Sequence, residues 1–270
     1  KYLNLNLNSM KKLLSLILLT AATSAINAQA ATTTTSVSTS PQKYRFAIKA
    51  NIGGSWLKSN TAEASYKSPG IQFGGGVQVE KRISNTASFV FGGDITVHSG
   101  TLSFDDSSYV TLAREKVNYH MTSAKYTLQT IDIPLCLKLK TSEIGMLTYW
   151  MQVGVMPSIT WKASATNLTY FNASGNGSSI LSDKNGEETI SVREDANLFR
   201  ASLVAGLGVE YNLSGSTSLL IGLQYVDGFT SSMSKQSDIL TTTDYKKVTF
   251  DPLKQAISSK YFTLTAGILF

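Results

Sequence analysis

Two histidines, His98 and His120, and one cysteine, Cys136, are the side chains of the kind that usually serve as general base or nucleophile near neutral pH. His98-Ser99 lacks the His-x-Ser spacing of a lipid-modifying rim site, and no acidic partner can be placed beside it. A polar histidine near the outer end of a strand is the simpler expectation. Asp105-Asp106 is an acidic pair of the sort a rim protease uses, yet no Asp-His pair accompanies it, and the segment reads as a turn. One cysteine with two histidines has no Cys/His metal spacing and no internal disulfide partner, so Cys136 is expected to fill space within a strand. No catalytic, metal or cofactor-binding residue is expected.

The stronger chemistry is electrostatic. Arg45, Lys49, Arg82 and Lys138 share one phase of alternating segments with Glu80, Asp94, Asp132 and Glu210. Cations and carboxylates in equal number compensate one another in a narrow polar interior, whereas a pocket for an apolar ligand tolerates them poorly. Such a set makes either a structural ion-pair plug or a path for protons or small solutes. The plug is favoured, because an eight-stranded barrel is only wide enough to be filled by its own side chains.

The elements that place those charges follow from period-two hydrophobicity. Tyr44 to Trp56 sets Phe46, Ile48 and Ile52 against Arg45, Lys49 and Asn51. The same alternation recurs at Ile71–Glu80, Phe89–His98, Ile131–Leu139, Leu147–Trp161, Leu203–Leu213 and Leu219–Tyr225. It ends at Lys260–Phe270, where Phe262, Leu264, Ala266, Ile268 and Phe270 share one face. That last segment has the form of the closing strand of an outer-membrane barrel. The expected fold is therefore all-β, an eight-stranded antiparallel up-and-down transmembrane β-barrel.

Connection lengths support it. The joins at Arg82–Thr86, Thr141–Gly145 and Ser214–Ser216 are short, while Lys58–Ser68, Ser103–Ala124, Ala163–Ala196 and Gly228–Ser259 are long. Outer-membrane barrels alternate short periplasmic turns with longer external loops. An even strand count then puts both termini in the periplasm. Tyr44 and Trp56 share a face, as do Tyr149 and Trp161, each pair separated by roughly 28 Å along the membrane normal at about 3.3 Å per residue and about 45° tilt. That distance suits interface aromatics flanking an apolar band, with Phe270 a further member.

Upstream of the barrel, Met10-Lys11-Lys12, the apolar run Leu13–Ala22 and the small residues ending Ala28-Gln29-Ala30 form a secretory signal over residues 10–30. Residues 1–9 precede the start methionine and are expected to lie outside the native protein. Residues 31–43, rich in Thr and Ser, read as a flexible periplasmic leader before a barrel of residues 44–270. Loss of Lys1, Lys11 and Lys12 with the signal lowers the formal charge from +6 to +3. A charge that small, without basic runs interleaved with aromatics, gives no footprint for nucleic acid.

Three segments carry a family resemblance: Thr130–Leu139 (TIDIPLCLKL), Ala205–Ser214 (AGLGVEYNLS) and Leu219–Phe229 (LLIGLQYVDGF), together with the terminal Phe. They resemble the PorT-like outer-membrane β-barrel proteins of Bacteroidetes-type bacteria. The resemblance implies an integral outer-membrane protein without a common catalytic residue set, some of whose relatives look like parts of secretion or gliding machinery. The expected partners are outer-membrane lipid, the barrel assembly machinery through the C-terminal strand, and a surface or periplasmic protein. The expected role is structural or interactive at the cell surface, with a narrow solute channel as the alternative and a rim-active enzyme behind it.

Overall fold

The computed structural model describes residues 42–60, 64–104, 110–114, 117–171, 178–180, 182–183, 186–233, 236–244, 249–254 and 256–270. The candidate signal, the residues before it and almost all of the leader lie outside the described residues, as do Asp105 and Asp106.

Eight long strands form the wall: β1 Tyr44–Ser59, β2 Ala64–Arg82, β3 Ala87–Phe104, β4 in two pieces Val117–Asp132 and Leu135–Lys140, β5 Leu147–Phe171, β6 Phe199–Ser214, β7 Thr217–Gly228 and β8 Ile257–Leu269. Each pairs antiparallel with its sequence neighbour, and β8 returns to pair with β1 from Ala47↔Leu269 to Ser59↔Ile257. Phe270 extends the seam, its N–H donating to the Phe46 carbonyl at 2.7 Å. Closure of this kind satisfies every strand edge, which a bilayer interior demands because no water is there to pair with exposed peptide groups.

The orientation of the alternation is the decisive feature. Phe46, Ile48 and Ile52 of β1, Ile71, Phe73 and Val77 of β2, and Phe262, Leu264 and Ile268 of β8 are all exposed on the outside of the ring. Lys49, Asn51, Gln78, Glu80, Asp94, Lys138 and Glu210 are buried inside it. A soluble barrel has the opposite arrangement. An apolar outer wall around a polar lumen is stable only with lipid outside.

The strands continue well past the segments that period-two reading delimits. At 25 residues, β5 measures about 80 Å along its length, more than twice what an apolar band about 25 Å tall requires of a strand tilted by about 45°. Its phase changes twice: Thr160 and Ala163 are both inward, as are Ala165 and Leu168, and the pairing to β4 slips between Gln129↔Lys162 and Thr130↔Thr160 and again between Ser123↔Thr169 and Lys125↔Thr166. A bulge of this type bends the strand and resets which face its residues present. In β4 the ladder breaks at Ile133-Pro134. Proline has no N–H to give, and the Ile133 N–H bonds instead to the Pro157 carbonyl at 2.8 Å.

On the long-loop side, Val110–Arg114 pairs with β4, Gln236–Asp244 pairs with Val110–Arg114, and Thr249–Lys254 pairs with Gln236–Asp244. Parts of the expected loops are thus a sheet that extends the wall. The short-turn side is tight: Ser214 and Thr217 flank Gly215-Ser216, with Gly215 at φ 58°.

Candidate functional site in the barrel lumen

The lumen is built in layers, because inward residues of neighbouring strands meet at the heights that the register sets. Nearest the short turns, the Lys138 ammonium lies against Glu80 and 2.6 Å from Glu210 Oε1. Lys140 joins both carboxylates, reaching Glu210 Oε1 at 3.0 Å. Arg45 donates to Glu210 Oε2 at 2.7 Å and to Ser218 Oγ at 3.0 Å. The Lys138 Nζ also stands 4.8 Å from the centre of the Trp150 ring, a cation–π contact within the same layer. Gly222 makes room for that ring, since a β-carbon there would collide with it.

One step further in, Lys49 Nζ is 2.8 Å from Asp94 Oδ2, with both side chains almost wholly buried. They come from β1 and β3, and the residue between them in the register is Gly76 of β2. A β-carbon at Gly76 would collide with Asp94 Oδ1. The glycine is what lets a lysine reach a carboxylate two strands away.

The third layer holds Asp132, Arg200, His98 and Tyr261. Arg200 Nη2 is 3.7 Å from Asp132 Oδ1, Arg200 Nη1 is 3.0 Å from His98 Nε2, and Nη1 also donates to Ser259 Oγ. The Tyr261 hydroxyl donates to Asp132 Oδ2 at 3.4 Å. His98 is completely enclosed. Strand β3 continues six residues beyond it, so His98 is a lumen residue and does not sit at a strand end.

Above these layers the lumen turns apolar. Leu57, Leu102, Met121, Tyr126, Leu128 and Ile257 pack with Val192, Ala196 and Met233 from the connecting segments. Wall residues and loop residues thus share one dry core over the polar interior.

Seven of the eight lumen charges named from sequence form contacts here: Arg45, Lys49, Glu80, Asp94, Asp132, Lys138 and Glu210. Arg82 corrects that expectation. It is the last residue of β2, half-exposed at the short-turn rim, and among the described residues no carboxylate pairs with it. Lys140, Arg200, His98 and Tyr261 belong to the layers but were not assigned to them. His98 and Tyr261 do fall on the inward phase of segments delimited by the alternation, which is the available signal, whereas Lys140 and Arg200 lie just outside those segments. Cys136 is buried in the lumen wall with a free thiol. The interface aromatics Tyr44, Tyr149, Trp161 and Phe270 are exposed on the outer wall, and Trp56 stacks there with Tyr225 and Phe262. Among the described residues no group of three or more metal-ligating side chains is found.

A closed antiparallel eight-stranded ring with an apolar exterior and an ion-paired lumen defines the class of outer-membrane β-barrels. Residues 27–234 match the model of the outer membrane protein beta-barrel domain family, and the chain belongs to that family. None of the curated protein sequences compared with it matches. Among solved structures it is similar to Neisserial surface protein A, at 12% identity over 83% of this chain and 95% of that one, with a TM-score of 0.39. It is similar to OprG from Pseudomonas aeruginosa, at 11% identity over 84% and 95% of the two chains and a TM-score of 0.41. A major outer membrane protein from Thermus thermophilus overlaps with 16% identity, 85% and 100% coverage and a TM-score of 0.39. At this level of overlap none of the three carries an argument about function.

Proposed function

We propose that this protein is a non-catalytic outer-membrane barrel that presents its long connections at the cell surface, in a structural or interaction role. The observation that carries the reading is the filled lumen. Ion pairs occupy its lower layers and a dry apolar cluster seals it above. A side-chain-filled interior opposes solute flow, and the residues outside the lipid band are left to act. The extra sheet formed by Val110–Arg114, Gln236–Asp244 and Thr249–Lys254 supplies a surface on that side.

In this reading the short turns and both termini face the periplasm, residues 10–30 are the secretory signal, and the C-terminal strand ending at Phe270 is what the assembly machinery engages. The PorT-like resemblance of Thr130–Leu139, Ala205–Ser214 and Leu219–Phe229 fits this placement. The enclosed position of His98 also disfavours rim catalysis through that residue.

Planar-bilayer recording of the refolded mature protein tests the proposal. The expected result is stable insertion without conductance steps. Steady conductance altered by Glu80→Gln or Lys138→Gln would replace it with the narrow-channel reading.

A further inference from the structure

The outer wall of β7, β8 and β1 is graded in rows that the register places side by side. Leu223, Leu264 and Ile52 form an apolar row; Tyr225, Phe262 and Gly54 follow; Asp227, Lys260 and Trp56 come next, and Ser258 and Lys58 last. Trp56, Tyr225 and Phe262 are in mutual contact, with ring centres 4.7 to 6.4 Å apart. Directly beyond them a cavity of about 350 Å³ opens, lined by Lys58, Lys260, Asp227, Thr230, Ser231 and Ser258 among others. Lys260 Nζ is held by Asp227 Oδ2 at 2.7 Å, and among the described residues no carboxylate pairs with Lys58.

We propose that this cavity binds the anionic phosphate headgroup of a membrane lipid, with the lipid's acyl chains lying on the aromatic and apolar rows below. Each part of the ligand meets matching chemistry. The two ammonium groups and the Ser and Thr hydroxyls supply donors to phosphate oxygens. Asp227, besides fixing Lys260, accepts from a headgroup hydroxyl or amine. The Trp56–Tyr225–Phe262 cluster marks the level at which amphipathic rings sit between headgroup and hydrocarbon. Gly54 leaves a gap in the aromatic row beside Phe262, through which a chain can descend towards Ile52 and Leu264. Assignment of the site to the outer leaflet rests on the orientation proposed above. Its preference for an anionic over a zwitterionic phosphate headgroup does not, so symmetric vesicles test that preference by itself.

The experiment uses the mature chain carrying Trp161→Phe, in which Trp56 is the tryptophan left on the outer wall; Trp150 is buried in the lumen, out of reach of lipid chains. Quenching of Trp56 is compared in vesicles of phosphatidylcholine doped with brominated phosphatidic acid or with brominated phosphatidylcholine. The phosphatidic acid should be preferred severalfold, and the preference should fall about fivefold for each of Lys58→Gln and Lys260→Gln. Lys58→Gln leaves the Asp227 pair intact, so it reports on the site even if Lys260→Gln impairs folding. Lys162→Gln, on another part of the wall, should retain the preference. Equal quenching by the two lipids in the parent protein, or equal loss of preference in Lys162→Gln, would overturn the proposal.

Discussion

The ammonium of Lys138 and a carboxylate oxygen of Glu210 lie 2.6 Å apart although 72 positions separate them in the chain. Neither has bulk solvent within reach, and Glu80 closes the other side of Lys138. Charges this deep are tolerable only in company, since taking an ion out of water costs several kcal/mol unless partners compensate it.

Breaking this cluster by Lys138→Met should therefore destabilise the barrel by about 3–5 kcal/mol, because two carboxylates would remain buried with fewer cations. Combining it with Glu80→Gln should recover part of the loss, since Glu210 then keeps Arg45 and Lys140 as partners. Urea titration of the folded protein in lipid vesicles, followed by tryptophan emission, would show both effects. Additive losses in the double variant would contradict the coupled cluster.

The outer wall makes a depth-dependent prediction. Leu264 sits in the apolar row with Ile52 and Leu223, well inside the aromatic row. Leu264→Arg should cost about 2–4 kcal/mol, and Ser258→Arg, near the rim, about 0–1 kcal/mol. Equal costs at the two sites would mean that the apolar band is not where these rows place it.

Gly222 tests the packing of the lower layer. With the Trp150 ring over it, Gly222→Val must displace the indole or the strand, and overpacking of this kind costs about 1–3 kcal/mol. The emission maximum of Trp150 should shift as well. Unchanged stability and emission would show that the lumen has slack the structure does not contain.

Cys136 reports on the seal. Its thiol is buried in the wall of the lumen beneath the apolar cluster. A water-soluble maleimide should label it at least about a hundredfold more slowly in the folded protein than in urea, since labelling must await opening. Leu102→Ala or Leu128→Ala should speed labelling of the folded form. Fast labelling of the parent protein would mean that water passes the cluster freely.

The sequence by itself determined the eight-stranded wall and which residues of each strand share a face; that the apolar face is the outer one is read from the burial of the ring. Alternation is a local property with a period of two, and the bilayer enforces it at every strand, so Phe46 against Lys49 or Leu264 against Thr265 can be read without any partner in view. Only the tertiary structure decided which inward charges meet. Arg45 stands opposite Glu80 in the register yet bonds to Glu210, and Arg82, with the same alternation as Glu80, ends at the rim unpaired by any described carboxylate. Such choices depend on the closure and stagger of the whole ring, which juxtapose residues from distant strands, and on gaps such as Gly76 that open a reach between strands. The apolar seal was hidden for the same reason. Leu57, Leu102 and Leu128 lie on the polar phase of their strands, and they become a core only where the barrel rises beyond the lipid and the segments bearing Val192 and Met233 fold over it.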